Sequence, residues 1–155
     1  MNAIEQLMSE VSGLFLTPVL LILCAMFVYA LFELGRFALE LLQGQRKAQP
    51  LTRFRQANPD ADQQDIELRL LRRLEPLRLV SRIAPMLGLV ATMIPMGPAL
   101  MAVANGNFTA VADSLVVAFA AVIIALMAAS ITFWVLSVRR RWLLEELKQL
   151  LKGAA

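Results

Sequence analysis

SLVVAFAAVIIALMAASITFWVLSV, residues 114–138, contains no Asp, Glu, Lys, Arg or His and is dense in alanine. A helix needs roughly 20 residues to cross about 30 Å of hydrocarbon, so this run is long enough to span a membrane. Two more charge-free runs, residues 11–32 and 83–104, meet the same length. In a chain of 155 residues, 59% hydrophobic and 17% charged, three such runs leave too little polar surface to cover them in water. The expected fold is all-α: a polytopic membrane protein with three transmembrane helices and a short helical cytoplasmic segment.

The basic residues give the orientation. Ten of the 15 Lys and Arg fall between Arg36 and Arg82, and the other five between Arg139 and Lys152. Lys and Arg are retained on the cytoplasmic side, so the expected topology has the N-terminus outside, residues 36–82 inside, the 105–112 link outside and the C-terminus inside. The chain divides accordingly. Residues 1–42 hold the outer N-terminus, the first span and an inner stalk, 43–82 a cytoplasmic helical segment, 83–138 the second and third spans, and 139–155 a C-terminal helix. With nothing basic before the first span and no small-residue cleavage site after it, that span is expected to persist rather than act as a signal peptide. The net charge of +3 then reflects topology and anionic headgroups, not nucleic acid.

The chain has no histidine and a single cysteine, Cys24, in the middle of the first span. No metal-ligand spacing, nucleophile-base pair or phosphate loop can be assembled from it, so the reading is a non-enzyme without metal or cofactor.

Several local features carry structural expectations. Past the first span, Leu34, Phe37, Ala38 and Leu41 extend an apolar stripe into a stalk, with Arg36 and Glu40 spaced to pair and Glu33 expected to reach water or Arg36. Residues 43–57 read as a turn and connector. Asn58 is a plausible N-cap, with Pro59 at the first helical position and Asp60 and Asp62 near the positive end of the dipole. Ile66, Leu70, Leu74 and Leu77 recur at helical spacing, and Pro76 is expected to kink or restart that helix. Leu143, Leu147 and Leu150 form a leucine face suited to packing between subunits or against residues 66–77. Trp134 and Trp142 bracket the expected inner interface, where indoles prefer to sit.

The second and third spans are built differently from the leucine-rich first. Ala84, Gly88, Thr92, Pro95 and Ala99 recur on one helical face, as do Ser114, Ala118, Ala121, Ala125, Ala129 and Thr132. Small residues let helix backbones approach closely in lipid, so Ala84, Ala118, Ala121, Ala125 and Ala129 are expected subunit-packing positions. Pro85, Pro95 and Pro98 each remove a backbone donor and free a carbonyl, which in hydrocarbon needs a partner or a hydrated cavity. Thr92, one turn before Pro95, either lines such a cavity or simply bonds the Gly88 carbonyl four residues back. With Thr92, Gly88 and Pro95 forms the candidate ion pathway. Asp113 and Ser114 form a possible outer mouth, although a helix-dipole role at the start of span three suffices for Asp113. Residues 83–104 and 114–138 contain no ionisable group, so a titrating group would have to come from another chain.

The stretch Ala84-Pro85-Met86-Leu87-Gly88-Leu89-Val90-Ala91-Thr92 resembles the A-P-x-L-G-L-x-G-T entry into the second-to-last span of the MotA/TolQ/ExbB proton channel family. The short outer link, the small-residue last span and the exit Arg139-Arg140-Arg141-Trp142 match it too, so the resemblance covers residues 82–142. It implies a ring of five identical subunits around a single-span partner of the ExbD/TolR/MotB type, whose intramembrane aspartate carries a proton or sodium ion driven by the ion-motive force. Thr92 would then face that aspartate, with Gly88 and Pro85 shaping the helix. Two departures stand out: Ala91 replaces the second glycine, and Phe119, Ala120, Ala121 and Val122 occupy the stretch where a second hydroxyl is usual. The expected function is an energy-transducing channel subunit of a bacterial or archaeal inner membrane. A non-conducting scaffold of the same architecture is the alternative, and an unrelated pore-former such as a holin is a third reading.

Overall fold

The computed structural model of the protein describes residues 3–42, 50–57 and 63–152. All the described elements are helices: α1 (Ala3–Leu42), α2 (Pro50–Ala57), α3 (Gln63–Ala104) and α4 (Phe108–Lys152). α1, α3 and α4 are each long and apolar enough to cross a membrane. The expected caps Asn58, Pro59, Asp60 and Asp62 lie outside the described residues.

α3 and α4 form an antiparallel hairpin. Its turn is shorter than the expected 105–112 link, because α4 already begins at Phe108. Gly106 takes φ 70°, the left-handed geometry that lets a helix end sharply. The Asn107 amide then donates to the Ala102 carbonyl at 2.9 Å, closing α3. The Asn107 side chain in turn accepts the Ala110 amide at 3.2 Å, starting α4.

The packing seam of this hairpin is made of small side chains. Ala84, Gly88, Ala91, Pro95 and Ala99 are buried along α3, and Ala118, Ala121, Ala125, Ala128 and Ala129 along α4. A Cβ placed on Gly88 would lie 2.6 Å from the Ala125 Cβ, closer than two carbons tolerate. The positions read for subunit packing, Ala84, Ala118, Ala121, Ala125 and Ala129, are buried here within one chain. Ala91, rather than Thr92, holds the inward position, because a helix advances 100° per residue and Thr92 falls one step off the seam.

α1 closes the bundle. Val19 and Leu23 pack against Ala91, Ala121 and Ala125, and Ala30 packs against Ala84, Ala128 and Ala129. Toward the polar end the core enlarges, first to Phe37, Leu77 and Val135, then to Leu51, Ile66, Leu70, Leu74 and Leu143. Leu147 and Leu150 join the last cluster, so the leucine face of the tail packs within the chain against residues 66–74. The change of side chain follows the change of solvent. In lipid, association depends on close van der Waals contact, whereas in water burying leucine is itself favourable by about 25 cal/mol per Å².

Residues 50–57, expected as connector, form the amphipathic helix α2. Leu51 is buried on α3 and α4, and Arg69 of α3 lies 5.1 Å from the Phe54 ring centroid in a cation–π contact. Its cap comes from far along the chain. Glu146 Oε1 accepts the Leu51 amide at 2.9 Å, the Thr52 amide at 2.9 Å and the Thr52 hydroxyl at 3.0 Å. The Arg55 guanidinium also donates to the Leu150 carbonyl at 3.2 Å. Inspection of residues 43–57 alone cannot reveal a cap that lies some ninety positions away.

α3 runs unbroken through Pro76, Pro85, Pro95 and Pro98, so Pro76 does not restart it. Pro76 is exposed, while Leu74 and Leu77 beside it are almost fully buried and hold the helix against its neighbours.

Two outcomes follow from these contacts. Gly88→Ala is expected to lower stability in detergent by about 1–3 kcal/mol, the usual cost of overpacking, whereas Gly97→Ala, with open space around it, has no such effect; thermal unfolding measures both. In hydrogen exchange, Glu146→Ala is expected to expose the Leu51 and Thr52 amides while leaving the α3–α4 seam protected.

Candidate ion pathway

Thr92, Ser114, Ser130 and Thr132 of the hairpin spans each bond to their own helix. Thr92 Oγ1 donates to the Leu89 carbonyl at 2.7 Å, three residues back rather than the expected four at Gly88. Ser130 Oγ donates to the Leu126 carbonyl at 2.7 Å, and Thr132 Oγ1 to the Ala128 carbonyl at 2.8 Å. A hydroxyl has one hydrogen and two lone pairs, so back-bonding leaves Thr92 able only to accept. That suits a cation or a protonated acid and disfavours an anion.

The three expected pathway residues share one stretch of α3 but not one face. Gly88 and Pro95 are buried, with Gly88 against Ala125 and Val122, while Thr92 is half-exposed on an adjoining face that includes Leu89, Met93 and Met96. Gly88 and Pro95 thus shape the helix, and Thr92 alone of the three presents a polar atom outward. Pro95 and Pro98 lack amide hydrogens, so the carbonyls of Ala91 and Ile94 lose their helical donors on this stretch. Across the seam, no hydroxyl of α4 stands level with Thr92: Ala121 is buried and Phe119 and Ala120 are exposed. Ser130 is a second exposed hydroxyl that the small-residue stripe did not single out, because it lies off that stripe. It lies nearer the polar end, nine positions from Ala121 and so roughly 14 Å along the helix.

At the outer end, Asp113 is exposed in the second turn of α4. The helix starts earlier than expected, and the dipole field fades within its first turn, so the dipole does not account for this carboxylate. Ser114 Oγ donates to the Ala110 carbonyl at 2.9 Å, which leaves its lone pairs outward like those of Thr92.

The inner end contains a charge cluster that the sequence spacing did not reveal. Glu33 of α1 is 6% exposed, and its carboxylate accepts the Arg139 guanidinium at 2.7 Å. Arg139 also reaches Glu40 at 3.2 Å, and Arg36 stands 3.5 Å from Glu33. Glu33 thus meets Arg36, one of its two expected partners, but is shielded from water, and the expected Arg36–Glu40 pairing gives way to a bridge from α4. Beside it, the Phe37 ring stacks on Trp142 at 5.5 Å and meets Trp134 edge-on at 5.3 Å. Among the described residues no buried side-chain polar atom lacks a partner.

A family model for the MotA/TolQ/ExbB proton channel family matches residues 30–152, from the last turns of the first span through the C-terminal helix. The chain belongs to this family. It is a membrane protein of a proton channel family, and the match takes in Glu33, Thr92 and Arg139 together. No curated protein and no solved structure matched in the parallel comparisons.

Removing one partner of a buried ion pair strands the other charge. Arg139→Gln is expected to cost on the order of 3 kcal/mol of stability in detergent, because the buried Glu33 is left only the half-exposed Arg36 at 3.5 Å, whereas Glu33→Gln costs less because Arg139 keeps Glu40 at 3.2 Å. Denaturation of the two variants side by side gives the ranking; equal losses would contradict it.

Proposed function

We propose that this chain is a ring-forming subunit of an energy-transducing membrane complex driven by a proton or sodium ion gradient, conducting ions together with a single-span partner of the ExbD/TolR/MotB type. The observation that carries the reading is the family match over residues 30–152, on a chain whose second and third spans hold no ionisable side chain. A proton relay through hydrocarbon needs a titrating group, so the partner supplies an intramembrane carboxyl group. Thr92 offers lone pairs to that acid from mid-span, and the freed carbonyl of the partly exposed Ile94 provides an acceptor on the same stretch. Asp113 collects cations at the outer mouth, and Ser114 lies next to it.

The complex sits in a bacterial or archaeal inner membrane with the N-terminus outside and both polar segments in the cytoplasm. The basic residues support this orientation, since all of them lie between Arg36 and Arg82 or beyond Val138. Assembly follows the ring of five that the family resemblance implies.

A second reading, a scaffold that conducts nothing, is favoured by one observation. Across from Thr92, α4 offers Phe119, Ala120 and Ala121 where a second hydroxyl would complete a polar ring.

Proteoliposomes containing a pH-sensitive dye and, in parallel, a sodium-sensitive dye separate the two. The channel reading expects flux only when the chain is reconstituted with a single-span protein of the ExbD/TolR/MotB type. Thr92→Val is then expected to reduce flux about tenfold, the equivalent of one lost hydrogen bond of about 1.4 kcal/mol. Equal flux in the variant would remove Thr92 from the pathway. A tight complex that passes no protons or sodium would favour the scaffold.

A further inference from the structure

The small-residue seams are buried inside one chain, which leaves other surfaces exposed for a neighbouring copy. Among the described residues, two faces at the polar end of the bundle are left exposed outside the apolar spans. On α3, Ile66, Leu70, Leu74 and Leu77 point into the core, which turns Leu68, Leu71, Arg72 and Glu75 outward at helical spacing. Leu68 and Leu71 are 47% and 49% exposed. On α4, Leu143 and Glu146 point inward, and Arg141, Leu144, Glu145 and Leu151 are exposed.

Antiparallel packing sets the relative heights of the two faces. Leu74 shares a cluster with Leu143, and Ile66 and Leu70 share it with Leu147 and Leu150. Glu75 is therefore level with Arg141, and Arg72 with Glu145, to within about one helical turn. The leucine pairs Leu68–Leu71 and Leu144–Leu151 overlap in height. Each face thus has two leucines and an acid and a base at heights that match the opposite charges on the other face.

We infer that the outward α3 face of one copy docks on the outward α4 face of the next, with Glu75 against Arg141 and Arg72 against Glu145. This rests on the ring reading above. The two faces differ, so the contact is head-to-tail, and such contacts propagate around a closed ring. Equal height is what neighbours sharing one membrane plane require. The leucines supply the burial, and the charge pairs set which face meets which.

Glu75→Cys and Arg141→Cys, combined in one Cys24→Ser chain in native membranes, test the contact with a short bismaleimide. The expected result is a ladder of cross-linked species above the dimer, absent from either single-cysteine chain. Charge reversal gives an independent readout. Glu75→Arg is expected to lower the oligomeric fraction in mild detergent about tenfold, and adding Arg141→Glu restores it. If the oligomer persists without a 75–141 cross-link and is indifferent to both reversals, this contact is wrong and the ring reading stands. A chain that stays single in membranes and in detergent would overturn both.

Discussion

The close approach of α3 to α4 where Gly88 meets Ala125 sets the geometry of the hairpin around it. With no Cβ on one side and only a methyl on the other, the α3 and α4 backbones come together at a distance that larger side chains would forbid. In hydrocarbon that proximity is the principal attraction available, because the surrounding lipid is as apolar as any leucine. Ala84, Ala91 and Ala99 on one helix and Ala118, Ala121 and Ala129 on the other extend the same contact along the hairpin. The first span then packs its Val19, Leu23 and Ala30 onto the seam.

This arrangement also decides which polar atoms can work. A seam that takes Ala91 inward pushes Thr92 onto the adjoining face, where its hydroxyl spends its hydrogen on Leu89 and keeps its lone pairs outward. Four prolines sit in α3 without breaking it, since the seam and the leucine core hold the helix on both sides of each interruption. The proline stretch can therefore free carbonyls from helical bonding while the helix keeps its course. A chain of this design has acceptors but no acid in mid-membrane, which suits a subunit that waits for a carboxyl group from elsewhere.

Where the alanine seam gives way to the leucine and aromatic core, Arg139 crosses from α4 to Glu33 and Glu40. A charged pair costs desolvation energy and is tolerated here because each member has more than one partner. Phe37, held by Trp134 and Trp142, packs next to it. The effect is to fix α1 to α4 at the level where the apolar runs end, and beyond it Glu146 fixes α2 to the same helix.

The sequence by itself determined the class of the protein. Charge-free runs longer than a bilayer is thick have no stable home in water, and the grouping of every Lys and Arg into two stretches carries the expected orientation. The small-residue periodicity was legible too, because helical spacing is a local property of the chain. Only the tertiary structure decided which partner each stripe meets. The alanines that could have faced a neighbouring copy face their own hairpin, since the short Asn-Gly-Asn turn brings α4 back antiparallel onto α3. It decided Thr92 as well, whose outward turn depends on a difference of 100° that a pattern of threes and fours does not resolve. The Glu33–Arg139 bridge and the Glu146 cap join residues about a hundred positions apart, and no local pattern encodes a contact that forms only when helices pack.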